Sequence, residues 1–160
     1  MRFIGNVLRG KLLSVFFPKY KIYSGKLDRM LKSAGYPVQT HLMDSEYIYT
    51  DFRNWMKIIK NDVVKYQKYR SDVYDCDNFG VTFAGLVPFI YGINAVGFVT
   101  GRIYDEHGLI GYHGWNVFLA LKDDGTPELY MYEPQSGMFS TYKAGRIGNW
   151  KYEPLFIIWG

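Results

Sequence analysis

The stretch from Trp115 to Tyr132 constrains this chain more than any other. Trp115 to Leu121 is a dense apolar run that reads as a strand. Lys122-Asp123-Asp124-Gly125 follows, and Asp-Gly between two apolar runs is a hairpin signal. Leu129 to Tyr132 is the returning strand, closed by Pro134. A hairpin sets the residues at its open end side by side. Here those residues are His113 and Glu133, so any fold built on this hairpin places an imidazole near a carboxylate at one end of a sheet.

Upstream the periodicity is helical. Phe3, Ile4, Val7, Leu8, Leu12, Val15 and Phe16 predict an amphipathic helix within residues 1–17. Arg9 and Lys11 interrupt its apolar run and no small-residue cleavage site follows, so no signal peptide is expected. No apolar run is long enough for a membrane-spanning helix. Lys26 to Ala34 predicts a second helix, stopped by Gly35 with Pro37 after it. Val38 to Tyr49 fits a strand or the approach to a helix. Phe52 to Tyr69, capped by Thr50 or Asp51, predicts a third helix with Trp55, Ile58, Ile59, Val63 and Tyr66 facing inward. Asp75 or Asp77 caps a fourth helix that opens at Cys76 or just after it and carries Phe79, Phe83, Leu86 and Val87 inward until Pro88 ends or kinks it. After Gly92 come strands: Ala95 to Thr100, the hairpin, Met138 to Tyr142 and Leu155 to Trp159. Tyr104 to Tyr112 reads as a polar, glycine-bearing loop. The expectation is one α+β domain over residues 1–160. Residues 1–50 form an N-terminal helical extension, and 51–160 form a core in which helices precede an antiparallel sheet.

The formal charge is +4, with the excess before Cys76: Arg2, Arg9, Lys11, Lys19, Lys21, Lys26, Arg29 and Lys32 face only Asp28. A basic amphipathic end suits an anionic surface, so peripheral membrane contact by the first helix is one expectation. Zinc-finger, RNP and P-loop patterns are missing, and nucleic acid is not expected as a partner. The 15 tyrosines suit partly wet faces. The spacing of Asp75, Cys76, Asp77 and His113 fits no zinc pattern, and no metal or cofactor is expected. Asp75, Asp77, Asp105 and Glu106 still leave room for a modulatory cation.

Cys76 is the only cysteine, so no intrachain disulfide forms. A lone thiol is often a buried small hydrophobe. The order Cys76, His113, Glu133 also supplies a thiol nucleophile, its base and the group that orients the base. A free thiol titrates at about 8.5, and a helix N-terminus lowers that value. Asp75 and Asp77 oppose ionisation if they face the sulfur.

Four blocks carry a resemblance: Asp75-Cys76-Asp77-Asn78-Phe79, Gly92 to Gly101, His113-Gly114-Trp115-Asn116 and Tyr132-Glu133-Pro134-Gln135. Their order and spacing resemble the transglutaminase-like core of the papain-like cysteine-hydrolase superfamily. They are similar to small phage or bacterial proteins with this DCDxF…HxWN…EPQ pattern, and to the protease domain joined to a fungal agglutinin. Glu133 stands where transglutaminases usually carry Asp, and Asn94 replaces a usual Pro. The resemblance implies a papain-like or transglutaminase-like fold. It implies a hydrolase or acyltransferase that attacks amide bonds through a thioester, with Cys76 as nucleophile, His113 as base and Glu133 as orienter. The Cys76 N–H would serve the oxyanion, with Gln67 or Tyr74 as side-chain donor, and Trp115, Asn116 and Gln135 in support. A peptide or protein substrate, a phage or host protein partner, and a cytoplasmic or virion-associated location go with it. The alternative is an inert copy of that fold, kept as a phage structural or binding module.

Overall fold

The computed structural model describes residues 2–36 and 38–160. Met1 and Pro37, the residue expected to follow the second helix, lie outside the described residues. The elements run α1 (Arg2–Ser14), β1 (Tyr20–Tyr23), α2 (Ser24–Ser33), β2 (Gln39–Leu42), β3 (Glu46–Asp51), α3 (Phe52–Lys60), α4 (Cys76–Tyr91), β4 (Val96–Asp105), β5 (Gly108–Leu121), β6 (Pro127–Glu133), β7 (Met138–Thr141), β8 (Arg146–Ile147) and β9 (Trp150–Trp159).

One sheet carries the architecture, and β5 is its longest strand. It pairs antiparallel with β4 on one side and β6 on the other, and β7 extends β6. Near Ala120, where β4 has ended, β3 takes up the same edge of β5 in parallel, and β1 pairs with β3. Beyond β4 the order continues through β9 to β2, which is parallel to β9. Side chains alternate across β5 as a strand requires. Trp115, Val117 and Leu119 enter one core with Leu27 and Leu31 of α2. Phe118 and Ala120 enter the other with Trp55 of α3 and Phe79 and Phe83 of α4. Both faces of the central sheet are covered, which is why the run at Val117–Ala120 is wholly apolar.

The expected plan of helices followed by an antiparallel sheet is corrected. Strands β1, β2 and β3 lie among the first three helices, and two of the sheet's pairings are parallel. The ambiguous segment 38–49 supplies β2 and most of β3, in which Tyr47 and Tyr49 bury while Glu46 and Ile48 stay partly exposed. β3 runs across residue 50, so sheet structure continues through the expected division between extension and core. Residues 104–112 form the tight end of the β4–β5 hairpin rather than an open loop.

The third helix ends at Lys60, well before Tyr69. Asp62 draws the chain out of the helix: its Oδ1 accepts from the Val64 N–H at 2.8 Å and its Oδ2 from the Tyr132 hydroxyl at 2.6 Å. Burial pushes the Asp62 carboxyl up, and burial followed by Asp62 itself pushes the Tyr132 phenol up. The fourth helix passes Pro88 and stops at Tyr91, where Gly92 takes the left-handed conformation (φ 61°). Buried Ile90 and Tyr91 hold this last turn against α1 and Phe17. Among the described residues no helix is long and apolar enough to cross a membrane.

Candidate functional site

Asp75 is the N-cap of α4, and its N–H donates to Asn78 Oδ1 at 3.2 Å. Cys76 is therefore the first helical residue, half-buried. The first turn of α4 lies almost in contact with β5: a Cβ added at Gly114 would stand 3.0 Å from the Asp77 Cα and 3.2 Å from its nitrogen. A side chain there would lift the helix end off the sheet. Asn116 fixes the same contact further along, its Nδ2 donating to the Gly80 carbonyl at 2.8 Å and the Gly97 carbonyl at 3.2 Å. The Cys76 thiol thereby meets both His113 and the Gly114 N–H.

His113 bridges the two acidic partners. Its Nε2 lies 2.5 Å from Glu133 Oε2, which leaves Nδ1 for the sulfur. Burial alone lowers the imidazole pKa, but the hydrogen bonds that the ring donates to Cys76 and Glu133 outweigh it and raise the value to about 9. The hydrogen bond with His113, helped by the Gly114 N–H, holds the Cys76 thiol below its ordinary range despite burial. The arrangement favours a thiolate beside an imidazolium. Asp75 raises the thiol slightly, as its charge must, but its carboxyl is itself pushed up, chiefly through a hydrogen bond with Asp77.

Glu133 is 5% exposed and fully engaged. Besides His113, its Oε1 accepts from the Gln135 N–H at 3.2 Å, and its Oε2 lies 3.4 Å from the Tyr152 hydroxyl. Trp115 stacks on the His113 ring at 6.3 Å and meets Tyr152 edge-on at 5.1 Å, walling off the pair. Tyr74 packs edge-on against Phe79 at 4.8 Å. Gln67 lies exposed beyond the 3₁₀ turn Val64–Tyr66, and among the described residues no hydrogen bond joins its side chain to Cys76. Asp75, Cys76 and Asp77 bring three ligand atoms within 4.8 Å of one another. Asp105 and Glu106 sit at the tip of the β4–β5 hairpin.

Two contributors were missed in the sequence, the Gly114 N–H and Tyr152. Tyr152 belongs to β9, which begins at Trp150 rather than Leu155. The alternation of Trp150, Tyr152 and Pro154 with Lys151 and Glu153 was the available signal. A cavity of about 470 Å³ opens on the far side of Glu133, walled by Gln135, Met138, Asn149, Trp150 and Tyr152.

Residues 21–148 match the model of the family described as the ricin-type β-trefoil lectin C-terminal domain. Two solved structures share the fold. PSL1a in complex with E64 is 19% identical, with a TM-score of 0.62 over 86% of this chain and 51% of that one. Polyporus squamosus lectin bound to the human-type influenza-binding epitope Neu5Acα2-6Galβ1-4GlcNAc is 19% identical, with a TM-score of 0.65 over 86% and 49%. The chain thus spans about half the length of these structures. Among curated proteins there is no match.

These findings correct the motif-based ascription. The matched family and the Polyporus squamosus neighbour are described as lectins, not as transglutaminase-like or papain-like hydrolases, and this replaces the papain-like name for the fold. The amide-cleaving function, the phage or bacterial setting and the peptide substrate fall with it, since a neighbour is described with a glycan. Four short blocks spread over sixty residues carried the resemblance, whereas the family model covers residues 21–148 continuously. By that match the chain belongs to the family of ricin-type β-trefoil lectin C-terminal domains.

Proposed function

We propose that this chain is a carbohydrate-binding module of the lectin kind, with a poised thiol linked through His113 to Glu133 in the wall of its ligand site. The observation that carries the reading is the family match over residues 21–148. The Neu5Acα2-6Galβ1-4GlcNAc epitope named for the Polyporus squamosus lectin makes oligosaccharides the ligand class to try first. The open cavity beside Glu133, with an exposed indole and two carboxamides, has the mixed apolar and polar lining that a sugar needs.

Within this module Cys76, His113 and Glu133 act as one site. Cys76 is the nucleophile, His113 the base that holds the thiolate, and Glu133 the carboxylate that orients the ring. Trp115 shields the pair from water, Asn116 ties α4 to the sheet beneath it, and Gln135 donates to Glu133. The electrophile that meets this thiol is a separate question from the glycan, and E64, bound by PSL1a, is a candidate probe for it.

The test is binding of a glycan panel, sialylated and neutral, to the purified chain by isothermal calorimetry, with E64 titrated separately. Saturable binding of at least one oligosaccharide is expected. A flat response to the whole panel at millimolar concentration overturns the lectin reading. E64 that leaves the Cys76 thiol free and titratable overturns its assignment as nucleophile.

A further inference from the structure

We propose that the outward face of α1, with the chain that leaves it, docks this domain on an anionic lipid bilayer. The proposal does not rest on the carbohydrate reading.

An amphipathic helix on a globular domain ordinarily turns its apolar face inward. α1 does the reverse. Ile4, Leu8 and Leu12 follow at four-residue spacing along one face, and all three are exposed, Leu12 at 67%. Val15 and Phe16 continue the stripe past the helix end, with Phe16 exposed at 78%. The side of α1 that meets the body is the less apolar one. Gly10 lies so close to α4 that a Cβ there would stand 2.5 Å from Ile90 Cγ2 and 2.9 Å from the Tyr91 hydroxyl. The Asn6 carbonyl accepts from Asn61 Nδ2 at 2.9 Å. These contacts fix the rotation of the helix about its own axis. Buried Phe17, stacked on Tyr91 at 5.9 Å, anchors the chain just beyond it. The apolar stripe is therefore held outward.

Phe89 of α4, also exposed, adds to this surface where Lys11 Nζ stands 4.6 Å from its ring centre. Single exposed apolar side chains are ordinary, whereas a run of them along one helix face marks a binding surface.

Charge selects the occupant. The first acidic residue of the sequence is Asp28. Arg9, Lys11 and Lys19 have no salt-bridge partner among the described residues. On the helix, Arg9 and Lys11 fall on either side of the Ile4–Leu8–Leu12 stripe. Their stems can lie along apolar groups while their charges reach anionic headgroups. A bilayer answers both features: its acyl boundary takes the stripe and its headgroups take the cations. The outward face of a helix is a ridge, a shape that sinks into a headgroup layer.

The experiment is flotation of the whole chain with sugar-free vesicles, of phosphatidylcholine alone and of phosphatidylcholine mixed with phosphatidylserine. The variants are Leu8→Gln/Leu12→Gln and Lys11→Gln, all at exposed positions, with circular dichroism to show that each is folded. The wild type is expected to float with the mixed vesicles and to be released by high salt. The double variant is expected to bind about ten-fold more weakly, and Lys11→Gln about five-fold. A wild type that stays behind when the mixed vesicles float overturns the proposal. So does a double variant that floats as well as the wild type. Sedimentation equilibrium without vesicles is expected to show a monomer. A dimer that the double variant dissolves gives the face to a second copy and overturns the bilayer.

Discussion

Two antiparallel hairpins of this molecule stand in contrast. The β5–β6 hairpin is buried on both faces and turns at an Asp-Gly pair, with Phe118, Leu119 and Ala120 fully inside. The β8–β9 hairpin pairs only two residues of β8, turns at Gly148, and holds Trp150 out to solvent. The first sets internal geometry: it brings His113 and Glu133 together and carries Gly114 beneath α4. The second sets what reaches that geometry from outside. A single carboxylate, Glu133, ends the first and borders the cleft made by the second. The difference teaches that rigidity and access are divided between elements, and variants separate the two.

The largest effect is expected within the first hairpin. Phe118 stacks on Trp55 at 4.3 Å and on Tyr130 at 5.4 Å, with no exposure. Phe118→Ala lowers stability by about 3–5 kcal/mol, measured by urea unfolding. A loss below 1 kcal/mol contradicts the rigid half of the contrast.

Next comes the hairpin's open end. The side chains of His113 and Glu133 are 9% and 6% exposed, so Glu133→Ala strands a buried imidazolium at a cost of about 3 kcal/mol. The pH dependence follows from the sign of the shift. The folded imidazole pKa is raised from 6.5 to about 9. The folded state therefore holds the extra proton, and the stability it adds is complete below 6.5 and lost as pH rises through about 9. The Tm gap between wild type and Glu133→Gln is widest at the acid end of that window and closes at the alkaline end. A gap that widens with pH contradicts the assigned ion pair.

A smaller effect is expected from His113→Ala on the thiol. Without its main partner the Cys76 thiol returns toward the ordinary range, and iodoacetamide alkylation at pH 7 slows by about ten-fold per unit of rise. An unchanged rate profile removes His113 from the site. The smallest stability effect belongs to the second hairpin: Trp150→Ala shifts unfolding by no more than about 0.5 kcal/mol, because the ring is half in water. A large loss there shows that Trp150 is structural and erases the contrast.

The same contrast explains what could be read from residues alone. The β5–β6 hairpin was legible because its apolar density and its Asp-Gly turn are local signals. The start of α4 was legible because Asp75 caps it. The residues that complete the sheet were not. Gln39–Leu42 is polar and short, and becomes a strand only by pairing with Phe156–Trp159. The helix expected to reach Tyr69 ends early because Asp62 finds a partner on β6, seventy residues away. At the site, the thiol was visible as a residue type at a helix start, and the imidazole and the carboxylate at a hairpin end, whereas the Gly114 N–H and the Tyr152 hydroxyl depend on close approaches that no local pattern encodes. The lectin family was missed because short motifs around reactive residues outweighed the rest of the chain.

The position of β9 has a consequence in time. This strand alone joins β4 to β2, and the Tyr47 hydroxyl donates across 112 residues to the Trp159 carbonyl at 2.9 Å. The hairpins β4–β5 and β5–β6 close short loops and can assemble early. β2 has no edge to join until β9 has docked on β4, so that edge of the sheet waits on pairing between Gln39–Leu42 and Phe156–Trp159. Folding is expected to be limited by this late closure. A nascent chain released from synthesis before Trp159 would leave β4 and β2 with bare edges, open to pairing with other copies.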